Sequence, residues 1–136
     1  MITLGIDYGT KNIGLAISDE TGFVAGVLPI LPNYAHNGDA RAVTEICALC
    51  KRSRVEQILL GSPLQNPNSP MFHEIAKFGA ALAEQSALPL KYWDESFSSK
   101  TVEASLRGKQ RKQSDSLAAQ MLLQEYLDFL QETRKL

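Results

Sequence analysis

Three features of the 136-residue sequence predict an α/β fold, with a mixed five-stranded sheet and helices on both faces. The first nineteen residues form two apolar runs of strict alternation on either side of a polar turn containing Gly9, which is the pattern of a β-hairpin. A short apolar run at residues 55–61 follows a helix-period segment, so it returns parallel to the first strand. Amphipathic stretches then separate the remaining strands and supply the covering helices.

In the hairpin, Ile2, Leu4 and Ile6 point one way, and Thr3, Gly5 and Asp7 the other. The second run repeats this, with Ile13, Leu15 and Ile17 opposite Gly14, Ala16 and Ser18. Gly9 permits the turn, and Gly5 and Gly14 leave room on the face that carries Asp7. A turn at residues 19–22 leads to a third strand over residues 23–31, antiparallel to the second, and then to a polar loop over 32–39. A helix is expected over 40–53, followed by the strand at 55–61 and a Pro- and Asn-containing loop over 62–70. Residues 72–87 form an amphipathic helix that Pro89 ends, and 90–93 form a fifth strand running into Asp94-Glu95-Ser96. Ser98 can cap a helix through Leu106, which Gly108 breaks. Residues 109–113 are polar and basic with little reason to be ordered, and a last helix is expected from about Ser114 to Thr133. The order is β-β-β-α-β-α-β-α-α, in one domain spanning residues 1–136.

A net charge of −1 supplies no global basic field, so a nucleic-acid partner would be met by a local patch. The apolar runs are far shorter than a membrane span, and Met1 leads straight into a strand without a signal-peptide pattern. A cytoplasmic protein with no membrane partner is the expectation. Cys47-x-x-Cys50 invites a zinc or redox reading, but Val43, Ile46, Cys47 and Cys50 fall on one helical stripe. His36 and His73 are not spaced to complete a zinc site, so buried structural thiols are expected.

Ligands in open sheets of this kind sit beyond the carboxyl ends of the strands, where Asp7, the loop after Gly61 and Glu95 all fall. Asp115 joins them in the first turn of the last helix, where Ala118 and Ala119 allow close approach to the sheet. Gathered carboxylates repel one another, and a divalent cation relieves the repulsion. Oxygen ligands suit Mg²⁺ or Mn²⁺, and a pair of such ions about 4 Å apart can assist phosphodiester cleavage. Asp94 is a rival for the role of Glu95, and Asp7 and Asp115 could instead serve as turn and helix-terminus residues. Lys100, Arg107, Lys109, Arg111 and Lys112 lie between the last two carboxylates against a single Glu103, a local balance of +4 (five minus one). With Lys11 in the hairpin turn, they are the candidate contacts to a nucleic-acid backbone.

Four segments carry a resemblance: GIDYGTKNIGLAISD at 5–19, ILLGSPLQNPNSP at 58–70, WDESFSSKTVEASL at 93–106 and SDSLAAQMLLQEYLDFL at 114–130. In their order and spacing the sequence resembles the YqgF family, also called RuvX, whose members are named as Holliday-junction resolvases and regarded as pre-16S ribosomal RNA nucleases. The resemblance implies the RNase H-like fold and divalent-metal nuclease chemistry at Asp7, Glu95 and Asp115. It also implies trimming of the small-subunit ribosomal RNA precursor, with the ribosome as a potential partner. Two positions depart from the family pattern: Ser96 stands where an Arg is usual, and Asn68-Ser69-Pro70 where a Gly is usual.

Two other readings share the same features. A non-catalytic RNase H-like module would bind RNA or the ribosome through the same surface. A nucleotide-phosphate-binding domain of the actin and Hsp70 type would use Asp7-Tyr8-Gly9-Thr10 as a phosphate cradle, but it needs two such domains to close on a nucleotide. The residues choose neither between structured rRNA precursor and branched DNA nor between monomer and weak homodimer.

Overall fold

The computed structural model describes residues 1–35, 38, 40–95 and 111–134, apart from the side chains of 111–115. One five-stranded sheet runs in the order β3-β2-β1-β4-β5. β1 (Thr3–Asp7) lies at its centre, antiparallel to β2 (Asn12–Ser18) and parallel to β4 (Gln57–Ser62). β3 (Ala25–Pro32) and β5 (Leu90–Asp94) form the edges.

The alternation read from the hairpin divides the core. Leu4, Ile6, Ile13, Leu15, Ile58 and Leu60 are buried on one face. There they meet Val43, Ile46, Cys47 and Cys50 of α1 (Arg41–Arg52) and Ile75, Phe78 and Leu82 of α2 (Pro70–Ser86). On the other face Ala16, Ala25 and Leu59 meet Ala119, Leu122, Leu123, Tyr126 and Leu127 of α3 (Arg111–Arg134). Both thiols are buried and unbonded, as the helical stripe predicts, and burial pushes that of Cys50 up to about 11. A thiol held protonated in this way is a poor zinc ligand or nucleophile.

Four differences from the sequence reading have local causes. β3 begins at Ala25 rather than Phe23, because the Phe23 and Val24 N–H groups are drawn into the preceding turn by Asp19 Oδ1, at 3.1 and 3.3 Å. α2 begins at Pro70: Ser69 Oγ accepts from the Phe72 N–H at 3.1 Å and Pro70 takes the first helical position, where its missing N–H costs nothing. The departure from the family pattern at Ser69-Pro70 is therefore a helix start. α3 begins at Arg111, so Arg111, Lys112 and Gln113 are helical rather than unordered. Their straight-chain side chains favour a helix and no breaker follows Gly108. Gly5, in turn, opens no space beside Asp7: a Cβ there would lie 2.9 Å from Leu123 Cβ, so the missing side chain admits α3 against the sheet. The helix expected over 98–106 lies outside the described residues.

α3 also grips the outer strand. Ser116 Oγ donates to Leu28 O at 2.7 Å, and Gln120 Nε2 donates to Ala25 O at 2.9 Å. Gln124 accepts from the Ala25 N–H at 3.0 Å and donates to Phe23 O at 2.8 Å. No helix among the described residues is long and apolar enough to cross a membrane.

Candidate active site

The carboxyl ends of β1, β4 and β5 lie side by side, because all three strands are parallel and consecutive in the sheet. Asp7 is the last residue of β1 and is half-buried. Its strand position is fixed from two sides: it pairs with Gly14 in β2, and the turn that follows is tied down by Asn33. Asn33 is buried, donates from Nδ2 to Gly9 O at 2.7 Å, and donates its backbone N–H to Lys11 O at 2.9 Å. Gly9 is needed for close approach, since a Cβ there would collide with Asn12 O. Tyr8 turns to the opposite face and packs on Phe78 with ring centroids 4.8 Å apart.

Glu95 follows β5 directly, and its N–H donates to Ser62 O at 3.2 Å, which holds it against the end of β4. Its side chain crosses β4 and hydrogen-bonds Asp7. Glu95 Oε2 is buried with no hydrogen-bond partner. Burial pushes the Glu95 carboxyl above its ordinary value; the Asp7 hydrogen bond acts in the opposite sense and the Asp94 charge adds to the rise. Two carboxylates held this close repel one another unless something between them neutralises the charge.

The structure therefore brings Asp7 and Glu95 together. Asp115 lies on α3 one turn before Ala119, which packs against the sheet, but its side chain is outside the described residues. Lys11 is exposed in the β1–β2 turn. Lys100, Arg107 and Lys109 lie outside the described residues, as does Ser96, and Arg111 and Lys112 are placed only as helical positions in α3. Sequence reasoning missed Asn33 and Gly61. The first was hidden in a polar loop, and the second is distinguished only by what crosses over it.

Among the described residues no three His, Cys, Asp or Glu side chains form a metal-binding group. The two carboxyls nevertheless suit a hard cation: both offer oxygen, and one oxygen is orphaned and buried.

The raised Glu95 value fixes a direction for stability. A folded-state value above the ordinary 4.5 means that the Glu95 contribution is present below about 4.5 and is lost as pH rises through the folded value. In metal-free protein, Glu95→Gln is expected to raise the melting temperature at neutral pH by a few degrees. The gain should vanish as the pH is brought down towards 4.5. Thermal denaturation across that range checks it, and a variant less stable than wild type at neutral pH would mean that the buried carboxylate is compensated.

The fold matches that of Thermus thermophilus RuvC, solved in complex with a Holliday junction substrate, with a TM-score of 0.63 over 96% of both chains at 15% identity. The sheet and its helices are thus those of the RNase H-like fold. The “Putative pre-16S rRNA nuclease” of Streptococcus sanguinis is 34% identical, covering 94% of this chain and 98% of the relative. Its namesake from Syntrophomonas wolfei is 38% identical over 94% of each. The family RuvX, described as “Holliday junction resolvase”, matches residues 1–129. The chain belongs to the RuvX family.

Proposed function

We propose that this protein is a divalent-cation-dependent endonuclease that processes the small-subunit ribosomal RNA precursor in the cytoplasm, working as one domain, as a monomer or a weak homodimer. The observation that carries the reading is the meeting of Asp7 and Glu95 across β4, with Glu95 Oε2 buried and unpartnered. A structural carboxylate would find a donor for that oxygen, because a buried polar atom without a partner costs about 1–3 kcal/mol. A site residue tolerates the cost in the absence of its ligand.

Asp7, Glu95 and Asp115 would hold Mg²⁺ or Mn²⁺, which would supply Lewis acidity and charge neutralisation at the scissile phosphate. The chain's own part is to keep Asp7 rigid on the central strand and to keep Glu95 pinned through its N–H to Ser62 O. Lys11, Lys100, Arg107, Lys109, Arg111 and Lys112 would hold the phosphate backbone, a contact that fixes register without reading sequence. The rRNA substrate is supported by the names of the relatives, and the ribosome is the natural setting for such a substrate.

The test is cleavage by purified protein of an rRNA precursor and of a four-way DNA junction, with and without Mg²⁺ or Mn²⁺. Metal-dependent cleavage of the precursor at the mature end is expected, with the junction cut more slowly. Preferential, symmetric cutting of the junction would replace the RNA reading with a resolvase acting as a dimer. Tight RNA binding without cleavage under either metal would leave a binding module.

A further inference from the structure

Asp7 and Glu95 come from strands two positions apart in the sheet, about 9–10 Å at ordinary strand spacing. They can touch only by reaching over β4. The residue beneath them is Gly61: β1 and β4 pair Ile6 with Leu60, so the next step sets Asp7 level with Gly61, and Gly61 itself pairs with Trp93 of β5. A Cβ at position 61 would lie 2.6 Å from Glu95 Oε2, 3.3 Å from Glu95 Cδ and 2.8 Å from Leu122 Cδ1. The first and last are closer than real Cβ contacts come. The place where a side chain would stand is occupied by the carboxylate.

We propose that Gly61 is a positioning residue of the active site: its bare Cα is the seat on which Glu95 rests against Asp7, and any side chain there dislodges the carboxylate and weakens the cation site. This rests on the divalent-cation reading above. Glu95 has little freedom to adapt, because its backbone is anchored to Ser62 O and its outer oxygen is buried. Gly61 lies within β4 and does not occupy the left-handed backbone region, so an alanine adds a methyl group without straining the main chain. Leu122 of α3 closes the seat from the helix side, which gives the methyl group two neighbours to displace and makes them separable by mutation.

The experiment compares wild type, Gly61→Ala, Gly61→Ala/Leu122→Ala and Gly61→Ala/Glu95→Asp by Mn²⁺ binding calorimetry and by crystal structures of the metal-free proteins. Gly61→Ala should keep its circular-dichroism spectrum, show Glu95 moved off Asp7, and bind Mn²⁺ about tenfold more weakly or worse, the loss that follows when a ligand's orientation is disturbed. Trimming Leu122 should remove the clash on the α3 side, at the stability cost usual for a buried leucine, without restoring Mn²⁺ affinity. Shortening Glu95 by one methylene should recover part of the affinity lost in the Gly61→Ala background. Wild-type Mn²⁺ affinity in Gly61→Ala, Glu95 still bonded to Asp7 in its crystal structure, or full recovery on trimming Leu122 would each overturn the proposal. Absence of Mn²⁺ binding by wild type would overturn the cation reading instead, and the metal-free structures would still decide whether Gly61 seats Glu95.

Discussion

Asp7→Asn is expected to lower metal-dependent cleavage by on the order of 10²–10³-fold or more, the effect of removing one preorganised charged group from a reaction centre. The shape of the side chain is unchanged, and an amide N–H can still donate to Glu95, so the fold and the Asp7–Glu95 contact should survive. What is lost is the negative charge that a cation would bind. In metal-free protein the same substitution removes repulsion between the paired carboxyls, so its melting temperature should be equal to or above that of wild type at neutral pH. Activity and stability thus move in opposite directions, which a simple folding defect cannot produce. Asp94→Asn serves as the control, because Asp94 acts on Glu95 through its charge, and its effect should be much milder. Near-normal cleavage by Asp7→Asn at millimolar Mg²⁺ would remove Asp7 from the site.

The largest loss of stability is expected from Leu123→Ala, at about 3 kcal/mol within the 2–5 kcal/mol usual for buried leucine truncations. Leu123 is fully buried and sits directly over Gly5, where the helix comes close enough that a Cβ on the strand would be 2.9 Å away. The gap left by truncation has no neighbouring side chain on β1 to fill it. Met121 on the same helix is 39% exposed, and its replacement by Ala should change stability by less than about 0.5 kcal/mol. Urea unfolding of the two variants measures the difference. A Leu123→Ala loss below 1 kcal/mol would mean that α3 is not held at Gly5.

The parts of this fold legible in the sequence are those written as periodicity. Ile2, Leu4 and Ile6 against Gly5 and Asp7 gave strand, facing and the position of a carboxylate at a strand end, and Val43, Ile46, Cys47 and Cys50 gave the buried face of α1. What periodicity cannot encode is meeting across strands. Gly61 reads as one more small residue until β1 and β5 are known to flank β4 and to send two carboxyls over it. Asn33 sat among turn formers, and its tie to Gly9 depends on how the β1–β2 turn folds over the end of β3. Gln120 and Gln124 look like solvent-facing helix residues, because their backbone partners at Phe23 and Ala25 lie about a hundred positions away in the chain. The start of α3 is hidden for a related reason: a run of charged residues carries no apolar signal, whereas helix propensity alone extends the helix to Arg111.

The grip of α3 on β3 also governs how this molecule meets others of its kind. An outermost strand with unpaired N–H and C=O groups is a template on which a foreign strand can add, and thus a starting point for aggregation. A glutamine amide both donates and accepts, so Gln124 offers the main chain at Phe23 and Ala25 what a neighbouring strand would have offered, while Gln120 and Ser116 occupy the carbonyls of Ala25 and Leu28. These groups are taken before any intruder arrives. Partial unfolding that released α3 would uncover an apolar face and, at the same moment, a strand edge ready to polymerise. The C-terminal helix is in this sense a built-in chaperone for the strand that follows the N-terminal hairpin.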